Sequence, residues 1–380
     1  MYPQASRRWI ATPELAVPRY WVEIVEGGSP SHLADLRSLR ERQLAVPHHY
    51  SSWPLNSTDG TWVWTRVVGT DDRLITGFAI HLTSSRALPG TRIGEVDRLG
   101  RPLHEEIAAV MGDVLSETAR RIPRLLRLDA RIFDEEPVRR ALMARSLAMA
   151  GWSPLSRGRH YSHTLVVPLA ASDQETLHRF SKGVRSAMRK ALGSPLLRFG
   201  PVTGTQYEGR IGYLHALPFE RTGGMPPPID IKGILCDSAG GDSLLVGAFA
   251  SEGRVPEDLA ALAWARFHGD HATLEINASQ RSHLFSNALS PGFGLMSELF
   301  LWARRRGAHW MDLGGLPGTK PALDDRMRGI IEFKMRFSAD FREVAEEWRL
   351  EPSRLLAGAA ATTRHVANLV RGAHAAARKC

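Results

Sequence analysis

The sequence predicts an α+β protein made of two structurally related domains followed by a basic tail helix. Three observations carry this. The chain has 380 residues, more than one ordinary domain holds and enough to bury two cores. Strand-like and helix-like stretches alternate in a similar order in both halves: strand, helix, antiparallel strands, helix, strand. Between the halves, Gly151–His163 (GWSPLSRGRHYSH) has the Gly, Ser, Pro and Arg content of a connector. The expected boundaries are 1–160 for the first domain, 161–350 for the second and 351–380 for the tail.

In the first half, 21–25 (WVEIV) reads as a strand, broken by Gly27-Gly28-Ser29-Pro30. Leu33, Leu36 and Leu39 have helical spacing. The stretches 62–68 and 74–80 predict a pair of antiparallel strands joined by a turn at 69–72. A long amphipathic helix is expected over 103–122, then a strand at 125–132 and a helix at 135–149. Gly151-Trp152 turns into a further short strand. The second half predicts a strand at 164–169, a helix at 174–192, adjacent strands at 229–235 and 244–250 and a helix at 256–268. A strand at 272–276, a helix at 293–306 and a strand at 310–313 follow. After Ser353, the residues Leu355, Leu356, Ala359, Thr363, Val366, Leu369, Val370 and Ala373 recur at helical spacing. Arg354, Arg364, Arg371, Arg378 and Lys379 make that helix basic.

Composition narrows the class. The chain is 43% hydrophobic and 23% charged, which is globular and excludes a disordered or fibrous protein. No stretch approaches 18 uncharged apolar residues, so no membrane span is expected. The first residues lack the apolar run of a signal peptide, and a cytoplasmic protein is expected. Cys236 and Cys380 make neither a disulfide framework nor a zinc site, and no metal is expected. Lys and Arg total 49 against 40 Asp and Glu, a net charge of +9, and only six of the cations are lysine. An arginine-borne excess suits a polyanionic partner: nucleic acid, a nucleotide cofactor or an anionic lipid surface.

Three segments bear on chemistry. Ser290-Pro291-Gly292-Phe293-Gly294 precedes a helix and reads first as a turn and cap, although helix-start N–H groups can also hold an anion. In the 174–192 helix, Leu177, Phe180, Val184, Met188 and Ala191 form an apolar face. His178, Lys182, Arg185 and Arg189 form a stripe without one acid, with Lys190 beside it. Like charges four apart cost about a few tenths of a kcal/mol per pair unless an anion offsets them. Finally, Trp310-Met311-Asp312-Leu313 runs into Gly314-Gly315, where backbone can approach a ligand closely. Lys334 lies in the apolar run of Ile330, Ile331, Phe333, Met335 and Phe337. A lone ammonium there needs a negative partner, Asp312 or Glu332, or must snorkel to water.

These residues resemble a known family. Ser181-Lys182-Gly183-Val184-Arg185-Ser186-Ala187-Met188-Arg189-Lys190-Ala191 is similar to the S-K-x-x-R-x-x-x-R-K-A helix of the FemABX-like transferases. Asp312-Leu313-Gly314-Gly315 and Phe333-Lys334-x-x-Phe337 resemble that family's D-x-G-G and F-K-x-x-F signatures. Residues 299–312 resemble its helix-to-strand passage. The likeness runs from about Thr164 to Phe337 and is looser in the first half, over 128–152.

The resemblance implies two tandem GNAT-like (acyl-CoA N-acyltransferase-like) domains that take no metal and no resident cofactor. It implies transfer of an amino acid from aminoacyl-tRNA to an amine on a peptidoglycan precursor or a secondary metabolite. Related members use acyl-CoA, which is the alternative donor. Lys334 would hold the donor ester and the charge that builds during attack, with Phe333 beside it and Phe337, Gly314 and Gly315 around the donor. Lys182, Arg185 and Arg189 would face anionic groups of donor or acceptor. On its own chemistry Asp312 is a candidate for orienting Lys334 or the amine, with a structural cap or salt bridge as the other reading, and the stronger one. The sequence departs from the family in lacking the long charged helical hairpin of some members and in carrying the basic tail. A CoA donor would want a Gln/Arg-x-x-Gly-x-Gly/Ala loop. The corresponding stretch, Leu289-Ser290-Pro291-Gly292-Phe293-Gly294, has Leu at the first position.

Overall fold

Each half of the chain organises around a seven-stranded sheet. The computed structural model describes residues 20–41, 61–99, 105–156, 161–250, 255–280, 290–315 and 328–363. In the first sheet, β1 (Tyr20–Glu26), β2 (Thr61–Gly69), β3 (Leu74–Ser84) and β4 (Arg92–Leu99) form an antiparallel run. Next, β5 (Leu125–Phe133) joins β4 in parallel. The far edge is closed by β14 (Ala345–Leu350) and β6 (Ser153–Pro154), both in antiparallel pairing. Helix α1 (Pro30–Glu41) follows β1, α2 (Glu105–Arg121) carries the chain from β4 to β5, and α3 (Pro137–Met149) follows β5.

The second sheet repeats this plan. Its strands β8 (Arg198–Pro201), β9 (Ser243–Phe249), β10 (Leu259–Phe267) and β11 (His271–Ser279) form the antiparallel run. Then β12 (Trp310–Asp312) joins β11 in parallel, and β7 (His163–Pro168) and β13 (Phe341–Glu343) close the edge. Helix α8 (Pro291–Arg305) links β11 to β12. One face of the sheet is covered by α8 and by α5 (Lys182–Leu192). Val184, Met188, Leu295 and Phe300 meet Ala261, Ala263, Ala265 and Met311 there. On the other face, α6 (Glu208–Thr222) and α7 (Ile231–Ala239) pack Ile211, Leu214 and Ile234 against Leu245, Leu262 and Trp264.

That two-sided cover explains the main departures from the sequence expectations. The stretch 256–268, expected as a helix, is a short 3-10 turn (Pro256–Asp258) and then β10. Ala261, Ala263 and Ala265 face one helix layer, while Leu262 and Trp264 face the other. A strand buried on both sides shows no polar alternation, and its alanines imitate helix composition. Conversely, 229–235 was expected as a strand and is the start of α7, because the Asp230 side chain accepts from Gly233 N and caps it. The expected 174–192 helix is two: α4 (Asp173–His178) and α5, whose N-cap is Ser181, accepting from Val184 N. His178 therefore does not share a helix with Lys182, Arg185 and Arg189. Strands β4, β8, β13 and β14, helix α6 and helix α9 (Arg328–Met335) had no counterpart in the sequence reading.

The domain boundaries also differ. Among the described residues, the chain divides into one unit holding β1 to β6 together with 344–363, and a second holding β7 to β13. Strand β14, expected in the second domain, pairs Ala345 with Phe133 and Leu350 with Leu128 in the first sheet. The tail is helical over 354–363, and the rest of its expected span lies outside the described residues. Among the described residues, no helix is long and apolar enough to cross a membrane.

Candidate active site

The site is built where β12 stops. Its last residue, Asp312, is fully buried. Its carboxylate turns forward to accept the Gly314 N–H at 2.7 Å on Oδ1. The same oxygen accepts the Thr164 hydroxyl from β7, and Oδ2 accepts the Tyr161 hydroxyl at 2.8 Å. Three neutral donors are what a buried carboxylate requires in place of water. An Asp that bonds the backbone two residues ahead starts a turn, so the strand ends there.

Gly314 then adopts φ +75°, and a Cβ there would lie 2.8 Å from the Leu274 carbonyl oxygen. At Gly315 a Cβ would meet the Tyr161 ring at 2.3 Å. Both glycines are therefore required by conformation or by close approach. The result is a pair of backbone carbonyls presented side by side. Lys334, in the last turn of α9 (Arg328–Met335), donates its ammonium to Gly314 O at 3.0 Å and Gly315 O at 3.3 Å.

The electrostatics follow from this placement. The Lys334 residue keeps part of its surface in solvent, while its ammonium turns inward to the carbonyls. Burial brings its pKa down to about 8, and attraction to the Asp312 carboxylate opposes that fall. A cation with such a pKa holds charge at neutral pH and releases or regains a proton near it.

The predicted residues divide into those the structure gathers and those it does not. Lys334, Asp312, Gly314 and Gly315 meet in one network. Phe333 and Phe337, expected beside the donor, belong instead to an aromatic cluster. Their rings lie 5.1 Å apart, each 5.5 Å from Phe293, and Phe337 also contacts Phe180 and Phe300. Phe337 is buried, so this pair anchors α9 on α8 and thereby fixes Lys334. Lys182 and Arg189 are exposed on α5, and among the described residues neither hydrogen-bonds to the Lys334 network. Arg185 donates to the carbonyls of Phe180 at 2.5 Å and His178 at 3.0 Å, tying the end of α4 to α5. Its role in this structure is to join two helices.

The sequence reading missed Tyr161 and Thr164. Tyr161 fell in the stretch read as a connector, and a hydroxyl on β7 carries no signal until β7 is known to lie beside β12. In the first turn of α8 a Cβ on Gly292 would lie 3.0 Å from the Phe333 ring and one on Gly294 2.3 Å from the Phe199 ring, both glycines being buried. A cavity of about 310 Å³ lies in the first unit, lined by Ser84, Arg86, Arg127 and Glu351 among others, and holds none of the predicted residues. No group of His, Cys, Asp and Glu suited to a metal ion occurs among the described residues.

With this geometry in hand, the chain can be compared with solved structures. The crystal structure of FemX superposes with a TM-score of 0.63 at 17% identity, covering 86% of this chain and 96% of that one. The chain shares the FemX fold. Each of its two units holds a mixed seven-stranded sheet with helices, the α+β class expected. A tandem GNAT protein from the clavulanic acid biosynthesis pathway (12% identity, 87% and 99% coverage, TM-score 0.49) is a weaker likeness. So is L-PGS from Bacillus licheniformis (12% identity, 91% and 99% coverage, TM-score 0.48), and nothing is built on either. No family model matches the sequence, and no curated protein is similar enough to count as a relative.

Proposed function

We propose that the protein is an aminoacyl-tRNA-dependent transferase that forms an amide by moving an amino acid onto an amine. The observation that carries this reading is the Lys334 ammonium, held beside the end of a parted strand pair in a FemX-like fold. An aminoacyl ester is already activated, so amine attack requires positioning and charge stabilisation more than a strong base. Lys334 supplies the charge: its ammonium faces the oxyanion as the carbonyl becomes tetrahedral. In this role it contributes about 3 kcal/mol to the barrier. With its pKa lowered to about 8, the same group returns a proton to the leaving 3′-oxygen more readily than an ordinary lysine. Asp312 holds the loop that holds Lys334. The exposed Lys182 and Arg189 suit a phosphate backbone. The acceptor is an amine of a peptidoglycan precursor or a secondary metabolite.

An acyl-CoA donor is the rival. It would seat its pyrophosphate on the first turn of α8. Leu289, where such a loop would carry Gln or Arg, counts against it. The deciding experiment incubates the protein with an amine acceptor and either charged total tRNA or acetyl-CoA. Loss of the aminoacyl label that RNase abolishes supports the proposal. Transfer from acetyl-CoA alone refutes it.

A further inference from the structure

Lys334 depends on a loop of two glycines, which by themselves are the least constrained residues in a chain. Something must hold the carbonyls of Gly314 and Gly315 in a fixed aim, and one side chain reaches both ends of the loop. At its entry, the Tyr161 hydroxyl donates to Asp312 Oδ2 at 2.8 Å, and the other oxygen of that carboxylate holds Gly314 N–H at 2.7 Å. At its exit, the Tyr161 ring lies so close on Gly315 that a Cβ would fall 2.3 Å from its Cγ. Thr164 supports the entry alone, through Asp312 and at 3.2 Å through Gly314 O.

We propose that Tyr161 is a positioning residue for Lys334, acting through its hydroxyl on Asp312 and through its ring on Gly315. The hydroxyl keeps the carboxylate turned toward Gly314 N–H rather than free to swing toward the ammonium. The ring keeps Gly315 from rotating its carbonyl away. Together they present both carbonyls to Lys334 and keep water out of the space between. Lys334 is thus set from two directions: Phe333 and Phe337 fix the helix it stands on, and Tyr161 fixes the loop it reaches. Among the described residues, the carboxylates that bear on it are Asp312 on β12 and, on its own helix, Glu332, which is exposed and paired with Arg328.

The inference rests on the transferase reading for its consequence in catalysis, but its test reads Lys334 directly. The chain has six lysines, so lysine side chains labelled with ¹⁵N at Nζ give few signals, and the signal missing from Lys334→Arg identifies the site. In the wild type its titration is expected near pH 8. In Tyr161→Phe the ring stays and the hydroxyl goes. Asp312 then acts on the ammonium unshielded, and the midpoint moves upward, toward the ordinary lysine value. In Tyr161→Ala water also enters, and the midpoint moves further in the same direction. A Lys334 midpoint unchanged in both variants, with both folded by circular dichroism, overturns the proposal. For the transfer reaction, Tyr161→Phe is expected to lower kcat about 10-fold with the donor KM within about 2-fold, the signature of a misplaced catalytic group. If the midpoint moves while no aminoacyl transfer exists in the wild type, the positioning stands and the transferase reading falls.

Discussion

The two units contain the same strand–helix–strand crossover with opposite outcomes. In the first unit β4 and β5 pair from Arg92 with Leu125 to Leu99 with Ile132, with breaks in register after Arg92 and between Val96 and Leu99. In the second, β11 and β12 pair over three residues, from His271 with Trp310 to Thr273 with Asp312, and then part. The cause is local. At the end of β12 the chain is turned by Asp312 bonding Gly314 N–H and by the left-handed Gly314. In the first unit β5 runs on to Phe133, and there Arg98 stacks 3.8 Å above the Phe133 ring and Asp134 pairs with Arg139. A closed pair is a scaffold. A parted pair leaves backbone carbonyls at the carboxyl ends of strands, where open sheets bind ligands. The longer pair suits a strut and the shorter one the proposed site.

Substitutions that break this contrast test it. The largest effect is expected for Lys334→Met, with activity falling about 10²- to 10³-fold as for the loss of an oxyanion donor. Stability should move the other way. The unfolded ammonium keeps its proton to about 10.5 and the folded one to about 8, so between these the unfolded chain binds more protons and stability rises with pH. The penalty of burying the charge is full below pH 8 and gone by 10.5. Lys334→Met escapes it, and its advantage, about 1–3 kcal/mol at pH 7, should shrink across that window in chemical denaturation. No such pH-dependent difference would mean that the ammonium is solvated.

Next come matched changes in the two units. Gly315→Ala overpacks the Tyr161 ring, and is expected to cost about 1–3 kcal/mol and most of the activity. In the first unit Asp129→Asn weakens a buried carboxylate bound by Arg349 at 2.6 Å and is expected to cost about 1–3 kcal/mol. Its kcat per folded molecule should stay at the wild-type value. Equal loss of kcat in Asp129→Asn would abolish the distinction between strut and site. The two faces of α5 give smaller effects. Arg185→Ala gives up two carbonyl contacts and should lower stability by about 1 kcal/mol. The double change Lys182→Ala with Arg189→Ala should leave the melting temperature in place while flattening the salt dependence of tRNA binding, by about 1 in slope per lost phosphate contact.

Much of the site was legible before the fold. Lys334 in an apolar run and the Gly pair after Asp312 are chemical statements about cost and backbone freedom, and they need no coordinates. Their mutual bonding was not legible, because Asp312, Lys334, Thr164 and Tyr161 are up to 173 positions apart in the chain. Arg185 shows the reverse case. Its place on a charged stripe allows an anion or a solvated surface, and only the fold shows its Nη1 donating to the carbonyls at the break after His178.

The sequence alone determined the two α+β halves, several of the amphipathic helices and the residues that could bear charge chemistry, since these follow from periodicity and burial cost, which are local. Only the tertiary structure decided which strands belong together. The segment that follows the first unit, β7, pairs with β12 in the second, and β14, which follows the second unit, pairs with β5 in the first. Both are interior strands, β7 between β12 and β13 and β14 between β5 and β6, and nothing local in their sequences names those partners. What selects among them is the closing of two cores at once, and that is a property of the whole chain.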